Sequence, residues 1–129
     1  MVKDYHELNV WQLSMNLCEK VYGLVREFPV DERFALCDQL RRAVVSAPSN
    51  IAEGNGRNSR SEYARFLSIA RGSVSEVQTQ LELAERLGYV KVPEDVSEVV
   101  RNISKMLFSM IQKLLHTPSK SQFPNPNSQ

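Results

Sequence analysis

Apolar residues recur at intervals of three and four in four separate runs of this chain, and strict alternation is never sustained. A helix turns through about 100° per residue, so this spacing gathers one face for burial, whereas a half-buried strand needs a period of two. The pattern specifies an all-α fold. In the first run two series overlap: Val10, Leu13, Leu17, Val21, Leu24 and Phe28 form one, and Leu8, Trp11, Met15, Cys18, Tyr22 and Val25 the other. On one helix these stripes lie roughly 120° apart, more apolar surface than a single packing partner covers. A neighbouring copy is the expected cover for the second. Gly23 costs this helix about 1 kcal/mol relative to alanine, tolerable if another backbone packs close there, and Pro29 ends the run.

The second run begins near Asp31, whose carboxylate suits the open amides of a first turn, and carries Leu36, Leu40, Ala43, Val44, Ala47 and Ile51. Its centre reads "SAPSNIAEGNGR", residues 46–57, with a proline among small polar residues. Ile51 stays in phase with Val44 and Ala47 across Pro48, so the sequence predicts a helix kinked at Pro48 but not ended there. The Val44 carbonyl then lacks its usual donor, and serine hydroxyls or water are expected to replace it. Gly54 or Gly56 is expected to end the helix in the left-handed conformation.

Ser59 and Glu62 match a reciprocal capping box at the start of a third helix, whose apolar series is Tyr63, Phe66, Ala70, Val74, Val77, Leu81 and Ala84, with Gly88 as its stop. Pro93, Glu94 and Asp95 suit the first turn of a fourth, lined by Val96, Val99, Ile103, Leu107, Met110 and Leu114. Four amphipathic helices with short links predict an antiparallel up-and-down four-helix bundle over residues 1–116. The remaining "TPSKSQFPNPNSQ", residues 117–129, has three prolines and little apolar content and reads as a disordered tail.

At 129 residues the chain is sized for one domain, and no apolar run reaches the roughly 18 residues of a membrane span. The start, "MVKDYHELNV", lacks a signal peptide's apolar block, so a cytoplasmic location is expected. Cys18 and Cys37 lack metal-ligand or redox spacing and read as core or near-core residues. Neither His6 nor His116 has a glutamate three residues before it, as a di-iron bundle requires; no G-x-S-x-G occurs, and "EGNGR" lacks the third glycine of a dinucleotide loop. The expectation is no catalytic residue, no cofactor and no metal.

Two polar features remain. Arg42, Ser46, Ser49 and Glu53 fall on one helix face with Asn50 and Arg57 beside them; the stripe serves either as a structural, solvated face or as an interface with a partner. Between Arg33 and Arg71, seven arginines stand against three acids, a local excess of four, although the whole chain carries only +1. Arg41, Arg42, Arg57, Arg60, Arg65 and Arg71 are the candidates for phosphate contact, since guanidinium offers planar bidentate donors. Glu53, Glu62, Glu76 and Glu82 are available to neutralise them.

"ELNVWQLSMNLCEKVYGLVREFP", "DQLRRAVVSAPSNIAEG" and "ARGSVSEVQTQL" resemble the small bacterial 23S rRNA-intervening sequence proteins over about residues 5 to 115. The resemblance implies a four-helix bundle assembling as a ring, commonly a homopentamer. It carries the family motif onto Arg41, Arg42, Pro48, Ser49, Asn50, Glu53 and Gly54, with Arg71 and Gln80 from the third helix. Ala35 and Cys37 depart from it where glycine and a serine or threonine cap are usual. Together these readings give a non-enzymatic oligomeric bundle that binds RNA or another nucleic acid through arginines near the link between helices two and three. The alternative is a protein-interaction scaffold or a purely self-assembling structure.

Overall fold

The computed structural model describes residues 4–116; residues 1–3 and the expected tail, 117–129, lie outside the described residues. Four helices account for most of it: α1 (Asn9–Val25), α2 (Leu36–Asn55), α3 (Arg60–Arg86) and α4 (Glu94–His116), with short 3₁₀ turns at Tyr5–Glu7 and Val30–Glu32. No strand occurs among the described residues. Each helix packs on two others, α1 on α2, α2 on α3, α3 on α4 and α4 back on α1. Cross-links fix the directions. Cys37 at the start of α2 donates to the Val25 carbonyl at the end of α1, Gln80 late in α3 donates to Gln39 early in α2, and Lys20 late in α1 pairs with Asp95 at the start of α4. Neighbours are therefore antiparallel, as the short links require.

The core is the inner series of each helix. Leu17, Leu40, Ile51, Leu67, Ile103 and Leu107 are fully buried, each contributing about 1.5–3 kcal/mol relative to exposure. In α1 the series through Val10, Leu17, Val21 and Leu24 faces inward. The second series is buried only at its end: Val25 joins the core, Trp11 and Cys18 are half-buried, and Met15 and Tyr22 remain 38% and 41% exposed.

Three helix ends differ from the sequence expectation, each for a local reason. The α-helical part of the second run starts at Leu36, five residues after Asp31; the intervening chain makes the 3₁₀ turn at Val30–Glu32. Ala35 has no side chain able to cap, and the Glu32 carboxylate replaces it by accepting from the Leu36 amide at 3.3 Å. Neither Gly54 nor Gly56 is left-handed; Gly56, at φ −86°, ends α2 in a right-handed conformation, and Gly54 lies within the helix. Ser59 caps α3 through the Glu62 amide at 3.1 Å as expected, but the Glu62 carboxylate turns to Arg65 rather than back to the cap. Gly88 does take the left-handed form, φ +78°, and the Tyr89 and Gly88 amides close on the Ala84 and Glu85 carbonyls.

Gly54 matters instead for how closely two helices can pack. A Cβ there would stand 2.8 Å from Phe66 Cβ and 3.2 Å from the Tyr63 carbonyl oxygen, so α2 and α3 approach closely only because this side chain is missing. Gly72, on the open side of α3, has nothing within 4 Å of a Cβ, and neither does Gly23, so no other backbone among the described residues packs close at Gly23, contrary to the sequence expectation. Gly54→Ala should cost about 1–3 kcal/mol by overpacking, whereas Gly72→Ala should gain about 0.5–1 kcal/mol from helix propensity. Urea denaturation of the two variants checks both signs.

Candidate functional site

The Pro48 ring removes the donor that would meet the Val44 carbonyl, one turn earlier. The replacement comes from another helix: the Cys18 thiol of α1 donates to Val44 O at 3.2 Å. The serine hydroxyls expected in that role act elsewhere. Ser49 Oγ donates to Val45 O at 2.8 Å, and Asn50 Nδ2 to Ser46 O at 2.8 Å, both one turn back on α2. Burial is the main cause that pushes the Cys18 thiol up to about 11, so it stays protonated and able to donate at neutral pH.

The polar stripe divides between a seam and the solvent. Ser46 and Asn50, half-buried, face α3, where Asn50 Nδ2 reaches Ser46 Oγ at 3.0 Å and Ser73 Oγ donates to the same oxygen at 2.8 Å. Further along the same seam, Gln80 bonds to Gln39 at 3.3 Å. Ser49 and Glu53 are exposed, and Glu53 accepts from Arg57 at 2.6 Å. Ser73 and Gln39 are additions that the sequence pattern does not reveal. Their signal is weak, since small and amide side chains beside a core series do not disclose which helix they will meet.

The six arginines do not form one patch. Arg41 lies in the first third of α2 and Arg57 just past its end, with about 21 Å of helix between Arg41 and Asn55 at 1.5 Å per residue. Arg41 reaches back to the Arg33 carbonyl at 3.3 Å, and Arg42 pairs with Asp38 at 3.1 Å. At the α2–α3 corner, Arg57 and Arg65 lie 4.7 and 4.6 Å from the Phe66 ring centroid. Arg65 also pairs with Glu62, and its hydrogen bond holds that carboxyl below the usual range. Arg60 serves the fold itself, because its Nε and Nη2 donate to the Leu114 and Lys113 carbonyls at 3.2 and 2.9 Å, closing the last turn of α4. Arg71 stacks over Phe108 at 5.0 Å in the α3–α4 seam.

An aromatic group beside this corner is likewise invisible in the sequence. Tyr5 stacks on His6 at 4.2 Å, Trp11 meets both edge-on, and Tyr5 shares a shallow depression with Ser49, Glu53 and Arg57. Only folding brings position 5 to position 57. Among the described residues, no group of three or more His, Cys, Asp or Glu side chains could hold a metal ion, and no helix is long and apolar enough to cross a membrane.

The chain belongs to the 23S rRNA-intervening sequence protein family, whose model matches residues 6–111. No curated protein matches it.

The thiol contact at Pro48 has a pH signature. An unfolded thiol ionises near 9.0 and the folded Cys18 near about 11, so its stabilising contribution is complete below 9.0 and is lost as the pH rises to about 11. Cys18→Ser keeps a donor but does not titrate there. The alkaline fall in stability should therefore be steeper in wild type than in Cys18→Ser, and Cys18→Ala should lose about 1 kcal/mol at pH 7. Denaturant melts from pH 7 to 11 measure both.

Proposed function

We propose that this member of the 23S rRNA-intervening sequence protein family is a non-catalytic, self-assembling helical scaffold of the cytoplasm, its second helix bent at Pro48. The observation that carries this reading is the outer stripe of α1. Met15 and Tyr22 stand exposed in line with half-buried Trp11 and Cys18, and Val45, also 42% exposed, lies on the neighbouring outer face of α2. Exposed apolar residues repeated along one helix face, with another on the helix packed beside it, are the kind of surface that soluble proteins cover with a partner. A second copy meets the requirement without any further component, and the family resemblance favours a ring of five. Association of identical chains then repeats every surface feature several times, which multiplies weak contacts.

A second reading, nucleic-acid binding, draws support from the Arg57–Phe66–Arg65 stack and from the family's description. Guanidinium groups steadied over an aromatic ring are cationic donors suited to phosphate or base contact. Their pairing with Glu53 and Glu62 reduces the charge available to a phosphate backbone, so this reading ranks second.

Light scattering at micromolar concentration should give an oligomer mass for the wild type and a single-chain mass for Met15→Glu, with helical circular dichroism unchanged in the variant. A wild type that runs as one chain overturns the scaffold reading. For the second reading, log affinity for a single strand should fall with log salt by about 0.7 per phosphate contact, and Arg57→Ala with Arg65→Ala should flatten that slope.

A further inference from the structure

At the corner where α1 gives way to α2, far along the bundle from the Arg57–Phe66–Arg65 stack, a solvent-open cavity of about 450 Å³ carries Arg26, Arg33 and Arg41 in its walls and no carboxylate. Its volume falls in the range of small-ligand sites, roughly 300–1,000 Å³. Like charges around one opening repel each other unless something neutralises them, no acid is among the lining residues, and Glu32 and Asp38 near by hold other partners. Glu32 accepts from the Leu36 amide and from the Tyr89 hydroxyl, and Asp38 pairs with Arg42. Glu19 borders the adjoining depression rather than this one. Among the described residues none of the three arginines forms an ion pair, in contrast with Arg42, Arg57, Arg65 and Arg101.

The cavity has a second chemical character. Tyr22, Phe28 and Val30 complete its walls, and next to it Phe34 is 85% exposed beneath the Arg33 guanidinium, 5.9 Å from its ring centroid. Arg41 is steadied by its bond to the Arg33 carbonyl, which fixes the spacing of the two residues. The Cys37 thiol at the cavity wall feels both signs of charge: burial raises it, the Arg41 charge opposes the rise, Glu32 adds to it, and Arg33 opposes it in turn.

We propose that this cavity binds a nucleoside phosphate, with the phosphate on Arg26, Arg33 and Arg41 and the planar ring against Tyr22 and the apolar wall. Guanidinium donors match phosphate oxygens two at a time, and exposed aromatic surface accepts a heterocycle without demanding a particular base. The site is separate from the α2–α3 corner and does not require it.

Calorimetric titration of the full chain with adenosine monophosphate, inorganic phosphate and adenosine tests the assignment. Adenosine monophosphate should bind more tightly than either fragment, and more weakly as salt rises. Arg26→Ala with Arg33→Ala should weaken it about a hundredfold, taking about tenfold for each lost charge-assisted contact. Both side chains lie at the surface, so the variant should keep its wild-type melting temperature; Lys113→Ala, exposed at the opposite end of the bundle beside Arg60, should change nothing. Equal binding by wild type and the double variant, or no binding at low salt, overturns the proposal, and adenosine monophosphate binding no tighter than phosphate overturns the role given to the ring. A short oligoadenylate that displaces the mononucleotide identifies a nucleic-acid strand as the source of the phosphate, and one that does not identifies a free nucleotide.

Discussion

A proline in the middle of α2 deprives the Val44 carbonyl of its helical donor, and how that acceptor is satisfied governs much of the bundle. Leaving a buried carbonyl unmet costs about 1–3 kcal/mol. A thiol from α1 meets it, so the defect in one helix becomes a tie between two. That tie sets which face of α1 turns to α2: with Cys18 directed at Val44, the inner series through Leu17 and Val21 falls into the core and Trp11, Met15 and Tyr22 fall on the rim. On its opposite side α2 is drawn against α3 by Gly54, where the backbones come too close for any Cβ. The polar seam of Ser46, Asn50 and Ser73 lies between these two anchor points and satisfies hydroxyl and amide groups that such close packing removes from water.

The four helices and their inner faces were legible because burial imposes its period directly on the sequence. Leu17, Leu40, Val74 and Ile103 are each fully buried, and the first two, with Val74 and Ile103, stand in the apolar series that mark the four helices. What was not legible depended on partners distant in the chain. Gly54 reads as a helix stop if only its neighbours are considered; its role becomes clear once Phe66 is known to press on it. Glu62 fits a capping box by spacing, yet Arg65, three residues later, outcompetes the cap for its carboxylate. The start of α2 is obscured because Asp31 looks like a first-turn acid, while Glu32 is the residue that caps Leu36.

The arginines show the same limit in electrostatic form. Seven of them in 39 consecutive residues suggest a basic surface. Adjacency in sequence does not survive in space, because about 21 Å of helix separates Arg41 from the end of α2, just before Arg57. Most are then occupied inside the molecule: Arg60 closes a helix end, Arg71 covers an aromatic ring, and Arg42, Arg57 and Arg65 each face an acid. Exposed pairs of this kind add little stability, about 0–1 kcal/mol, but they do neutralise charge. The unspent positive charge gathers at Arg26 and Arg33, outside the sequence-derived set, with Arg41 as the one member both views share.

The proposed assembly face and the proposed ligand cavity meet at Tyr22, which lies on the outer stripe of α1 and also lines the arginine cavity. A copy docking along Trp11 and Met15 would approach this residue from one side, and a ring stacked in the cavity would approach it from the other. The two events then share one side chain and become coupled: by linkage, whatever the ligand does to association, association must do to ligand affinity by the same factor. The sign follows from which surface Tyr22 keeps dry. If the neighbour holds the phenol in place, the ligand meets a preorganised wall and binds more tightly to the assembled form. If the neighbour covers the phenol, the ligand must displace it and favours the single chain. Met15 lies about two helical turns before Tyr22, outside the cavity lining, so a change at Met15 would reach ligand affinity only through association, whereas a change at Tyr22 would act on both directly.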